Sequence, residues 1–157
     1  MSEKRNENIV ERALVDAVVE TFGDMAFLDV IEVDENTDFE TSQLLCIDFS
    51  APLRGTIVVA MPLEAKRNAV ENIHAKGWEE LSVTEVDDCL LEMLNVLTGN
   101  FLQNLYGRQV KVNLSFPHII FDLAEAGVED KFEEFNFDAE GVSFRVSIWV
   151  ENEGGKK

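Results

Sequence analysis

SVTEVDDCLLEMLNVLTGNFLQNLYG, residues 82–107, is the stretch on which the reading of the fold turns. At about 100° of rotation per residue, Val86, Leu90, Leu94, Leu97 and Phe101 line up as a narrow apolar stripe that must face a core. Asp88, Glu92, Asn95 and Gly99 fall on the opposite side, within roughly 60° of one another. Leu91, Met93, Val96 and Leu102 make the flanks apolar as well. The helix is therefore expected to be buried on most sides, with one thin polar strip left for solvent or a partner. A packed backbone holds a side chain in such a strip accurately, as a catalytic group requires. A hydroxyl at Ser82 or Thr84, with Glu85 close behind, suits the first turn, and Gly107 suits the end.

Before this helix, Ile9, Ala13, Ala17, Thr21 and Met25 recur on one line, with Val10, Leu14, Val18 and Phe22 beside them. That spacing predicts a first helix over residues 9–25, with Gly23 at its C-terminus. Phe27–Val33 reads as a short strand, followed by an acidic loop. Leu44–Phe49 and Thr56–Met61, around the turn Ala51-Pro52-Leu53-Arg54-Gly55, read as a hairpin. Pro62 opens a second helix to about Ala75, with Lys76-Gly77 as its exit. Beyond the long helix, Val110–Phe116 is expected to be a strand closed by Pro117. Ile119–Leu123 continues the sheet, and Phe132–Phe137 is a weaker strand. Val142, Phe144, Val146, Ile148 and Val150 alternate with Ser143, Arg145, Ser147 and Trp149, the period of a half-buried strand. The edge of that strand is a candidate for pairing across a two-fold axis.

Aligning Gly23 with Gly99 superposes the first helix on the third, setting Asp16 against Glu92 and Val19 against Asn95. The elements read as helices with a mostly antiparallel sheet, and the alignment as a faint internal repeat. One domain is expected over residues 1–157, with an ordered core over about 8–151 and a disordered tail from Glu151 to Lys157.

With 157 residues, of which 46% are hydrophobic, the chain can bury one sizeable core. No apolar run approaches the ~20 residues needed to span a bilayer, and MSEKRNEN is too polar for a secretory signal. A cytoplasmic protein is expected. Cys46 and Cys89 stand alone among apolar neighbours, as reduced cysteines do in that compartment. A net charge of −18 argues against nucleic acid and against an anionic membrane, both of which need clustered Lys and Arg. Glu32, Asp34, Glu35, Asp38 and Glu40, and the acids between Asp122 and Glu140, read as solvated loops. His74 and His118 lie at no metal-ligand spacing, and Ser115 and Ser143 have no His or Lys partner at a recognisable spacing. No glycine-rich phosphate loop is present.

An acid at Asp88, Glu92 four residues on, Asn95 three further on, and Pro117 after the next strand together resemble the CheC/CheX/FliY family of chemotaxis phosphatases. Gly99-Asn100-Phe101 and the hairpin segment Leu53-Arg54-Gly55-Thr56-Ile57-Val58-Val59 are similar too, although the interval before Pro117 is slightly short. The resemblance covers roughly Val10 to Val150. With Asp16 and Val19 as a decayed first copy, it points to the CheX branch, which has one working E-x-x-N helix.

The resemblance implies an α/β (α+β) sandwich, a mostly antiparallel sheet packed with helices in two degenerate pseudo-repeats. It also implies a homodimer with no metal or cofactor of its own, acting on the aspartyl phosphate of a CheY-like response regulator. That regulator brings its own Asp, Mg²⁺ and Lys. Asn95, whose amide both donates and accepts, would hold the attacking water, and Glu92 would pair with the regulator's Lys. Gly99 would let the partner approach, and Asp88 would orient the partner or solvate the helix start. The alternative is a non-catalytic regulator-binding or flagellar-switch module of the same lineage, which would have no need of an amide at Asn95. A small-molecule sensor using the inter-helix cleft has no residue in its favour.

Overall fold

The computed structural model describes residues 2–127 and 132–151, with side chains from Ile9 onward. In chain order the elements are α1 (Ser2–Ala26), β1 (Val30–Val33), β2 (Gln43–Ala51), β3 (Gly55–Met61), α2 (Leu63–His74), α3 (Val83–Tyr106), β4 (Asn113–Leu114), β5 (His118–Ile120), β6 (Glu133–Ala139) and β7 (Val142–Val150). The strands form one antiparallel sheet in the order β1-β6-β7-β3-β2, with β4 and β5 sharing the outer edge of β2.

Register sorts the side chains into two faces. Leu45 lies opposite Val59, Ile47 opposite Ile57, Ile57 opposite Ile148, and Phe137 opposite Phe144, so one face of the sheet is apolar from strand to strand. The helices cover this face. Phe22 of α1 stacks on Phe144 with ring centroids 4.7 Å apart, and Phe101 of α3 meets Phe49 edge-on at 6.0 Å.

The opposite face is thinly covered, with a small cluster of Cys46, Val58 and Ile120 backed by Leu44, Ala126 and Phe132. On that side Arg145 of β7 donates to Asn136 Oδ1 (2.9 Å), Asn36 Oδ1 (2.7 Å) and the Thr37 carbonyl (3.0 Å). Its guanidinium also sits 5.0 Å from the centre of the Phe39 ring. One cation thereby ties the acidic loop to the back of the sheet.

The α+β architecture, the hairpin and the long third helix are as the sequence predicts, and four local expectations are corrected. Strand β7 lies between β6 and β3 with both edges occupied, so it cannot pair across a two-fold axis. The strand expected over 110–116 shrinks to Asn113–Leu114, because its pairing with Phe49 and Ala51 of β2 is broken by a register shift. The sheet continuation expected over 119–123 stops at Ile120, and a 3-10 turn follows over Leu123–Ala126.

The fourth correction concerns Gly23, which does not end α1. The helix runs on to Ala26, whose carbonyl accepts from Asn72 Nδ2 at 2.7 Å, and Phe27 takes the left-handed position with φ 57°. A glycine inside a helix costs about 1 kcal/mol relative to alanine. Packing does not demand it here, since a Cβ on Gly23 would meet nothing nearer than the Leu28 carbonyl oxygen at 3.9 Å. Gly55 shows the contrary case: a Cβ there would collide with the Trp149 carbonyl and the Phe49 ring. At the C-terminal end, Glu151 N–H donates to the Arg54 carbonyl at 2.8 Å, and the rest of the expected tail lies outside the described residues.

Candidate functional site

Helix α3 is fixed at its start by a capping box: Ser82 Oγ accepts from Glu85 N–H (3.0 Å), and Glu85 Oε1 accepts from Ser82 N–H (2.9 Å). The Ser82 N–H, then Lys76 with its Nζ 3.6 Å from Glu85, hold the Glu85 carboxyl below its ordinary range. Along the helix, Leu90, Leu94, Leu97 and Phe101 are buried, and so are Met93 and Leu102 on the flanks. Two asparagines fasten α3 to α1. Asn100 Nδ2 donates to Thr21 Oγ1 at 3.0 Å, and Asn104 Nδ2 donates to the Ala13 carbonyl at 3.1 Å.

What remains open is the strip predicted from the sequence. Asp88 and Glu92 are exposed, and Asn95 and Gly99 are half-buried. Neither Glu92 nor Asn95 makes a side-chain hydrogen bond or ion pair among the described residues. A Cβ placed on Gly99 would meet nothing within 4 Å. A carboxylate and a carboxamide three residues apart are neighbours on a helix surface, roughly 5–6 Å between Cβ atoms. Here they stand on a rigid rod with their hydrogen-bonding capacity unused. Such a pair can bind a cation through Glu92 and orient a water or a polar hydrogen through Asn95.

Other chemistries find little support. Burial pushes the Cys89 thiol up to about 11. Burial and then the charge of Asp48 push Cys46 up to about 12, so neither thiol is a ready nucleophile. Among the described residues no group of His, Cys, Asp and Glu is placed to hold a metal ion, and no helix is long and apolar enough to cross a membrane. On α1 the corresponding positions carry the exposed Asp16 and the partly exposed Val19, a strip without an amide. Pro117 sits between β4 and β5 at the outer edge of β2.

Residues 44–134, a span that takes in the whole of α3, match the family model described as chemotaxis phosphatase CheX. The chain belongs to the CheX family. Solved CheX structures share its fold. One is a chemotaxis protein CheX from Desulfovibrio desulfuricans, 13% identical, with TM-score 0.71 over 90% of this chain and 99% of that one. Another is the CheX–CheY–BeF₃–Mg²⁺ complex from Borrelia burgdorferi, 16% identical, with TM-score 0.69 over 90% and 97%. The FliM middle domain from Vibrio alginolyticus, 9% identical, aligns with TM-score 0.58 over 92% and 91%. No curated protein matches the chain by sequence.

The apolar spacing over residues 9–25 comes within one residue of the end of α1 at Ala26, beside this strip, and only the stop at Gly23 is misplaced. The signal was present, since the apolar spacing of Phe22, Met25 and Ala26 continues past Gly23 without a break.

Proposed function

We propose that this CheX-family chain removes phosphate from the aspartyl phosphate of a CheY-like response regulator, using Glu92 and Asn95 together. The observation that carries the reading is that both side chains stand on the outer strip of an otherwise buried helix with no partner among the described residues. Asn95 cannot act as a general base at neutral pH, but its amide can hold a water in line with phosphorus. Stabilising the transition state falls to the regulator's own Mg²⁺ and Lys, which leaves positioning as this chain's contribution. Glu92 pairs with that Lys and orients the regulator. Asp88 sets the approach from the helix start, and Gly99 admits the partner's surface. The complex of a CheX with CheY, BeF₃ and Mg²⁺ among the similar structures supports a regulator as partner.

We place the protein in the cytoplasm as a homodimer. With both edges of β7 occupied, that dimer does not form through the edge of this strand. Light scattering at about 18 kDa in the micromolar range would overturn the dimer.

The test is dephosphorylation of regulators from the same genome. Asn95→Ala is expected to lower turnover by about 10²-fold while affinity stays within a few-fold, because the amide acts in the transition state. Glu92→Ala loses both affinity and rate, and Asp16→Ala changes neither. Wild-type turnover in Asn95→Ala overturns the mechanism. The likeness to the FliM middle domain would then favour a non-catalytic binding module.

A further inference from the structure

We infer that the last turns of α1, through Gly23, Asp24 and Phe27, form the second half of the surface on which the regulator docks. The inference rests on the phosphatase reading and names a further part of its partner surface.

Position comes first. The bonds Asn100 to Thr21 and Asn104 to Ala13 run in opposite senses along the two helices, so α1 and α3 are antiparallel. Phe22 lines a small interior cavity together with Leu90, Met93, Leu94 and Leu97. The final turns of α1 therefore lie alongside the part of α3 that carries Glu92, Asn95 and Gly99.

Backbone chemistry comes second. Gly23 and Gly99 both sit inside helices, and intramolecular packing demands neither. A helix that keeps glycine where a Cβ would find open space has left room for something outside the chain. Four residues on, the preference is inverted. Phe27 occupies a left-handed conformation that favours glycine, and it is 72% exposed. A bulky residue held in that conformation is strained, and such strain clusters at binding sites. An exposed aromatic ring beside a glycine-floored helix pair suits an interface anchor.

Charge completes the picture. Asp24 is exposed on α1, as Asp88 and Glu92 are on α3, so acids border the surface on both helices. The occupant is a folded protein presenting a Lys beside its phosphorylated pocket, with an apolar patch next to it for Phe27.

Gly23→Leu and Phe27→Gly separate this from a structural role, because each removes a local conformational penalty. Both variants are expected to raise Tm by about 2–4 °C. At the same time the KM for the phosphorylated regulator, and the Kd for its beryllofluoride-activated form, should rise by about 10-fold, with the loss in KM rather than kcat. If both variants keep wild-type KM and Kd while Glu92→Ala raises them, the α1 surface is wrong and the phosphatase reading stands. If the wild-type protein neither binds nor dephosphorylates any activated regulator, both fall together.

Discussion

Helices α1 and α3 lie side by side over the sheet, and they differ in what their outer strips carry. Both lie on the same face of the sheet, both send a phenylalanine into it, and both carry a glycine inside the helix. Only α3 has the carboxylate and amide of Glu92 and Asn95; α1 has Asp16 and Val19 in their place. Packing and chemistry thus separate cleanly. Both helices present a buried stripe to the core, while among the described residues neither Glu92 nor Asn95 on the outer strip of α3 has a side-chain partner.

The comparison is broken most directly through the core. Phe22 is 2% exposed and Phe101 0%. Phe22→Ala and Phe101→Ala should each destabilise by about 3–5 kcal/mol in urea unfolding. If either costs less than ~1 kcal/mol, a value typical of surface sites, the two helices are not equivalent members of the core.

A finer test lies in the seam between them. Thr21 is 1% exposed and accepts from Asn100, so removing one partner leaves a buried polar group unsatisfied. Asn100→Leu alone should cost about 1–3 kcal/mol. Asn100→Leu with Thr21→Val should cost less than the sum of the single changes. Strict additivity in that double-mutant cycle would mean the bond does not fasten the helices.

The smallest expected effect concerns the edge of α1. Burial, then a hydrogen bond shared with Glu11 and the charges of Glu11 and Asp34, raise the Glu32 carboxyl from 4.5 to about 7. Between those values the native state keeps a proton that the unfolded chain has released. Stability should therefore fall as pH rises through the window, and the contribution is lost above about 7. Glu32→Gln should flatten unfolding curves measured at pH 5, 6, 7 and 8. An unchanged slope would remove this carboxyl pair from the account.

The stripe of α3 could be read from residues 82–107 alone, because Val86, Leu90, Leu94, Leu97 and Phe101 repeat at one period and all are buried. So could the outer strip, which is the complement of that stripe. The hairpin of β2 and β3 was readable for a similar local reason, two apolar runs about a turn. Period does not disclose partners, however. Strand β7 alternates as an edge strand would, yet Ser143, Arg145, Ser147 and Trp149 face a thinly covered back surface and both its neighbours are strands. The 110–116 segment has strand-like composition, but only two of its residues find a ladder. Gly23 misled because glycine is a common helix stop, although the apolar spacing runs past it; what the sequence does not show is that Asn72, from α2, donates to the Ala26 carbonyl where the helix ends.

The grip of Arg145 on the acidic loop bears on how a partner would find this protein. Asn36, Thr37 and Phe39 are held to the side of the sheet opposite the helices. The charge of Asp34, Glu35 and Asp38 is therefore anchored on the far side of the sheet from Glu92 and Asn95. Fields from exposed charges decay over ~8 Å at physiological ionic strength, less than the thickness of a sheet with a helical layer on top. Those three acids of the 31 in the chain are thus unable to guide a regulator toward α3. The rate of encounter should therefore follow the acids on the helix side, Asp24, Asp88 and Glu92 among them, more closely than those of the acidic loop.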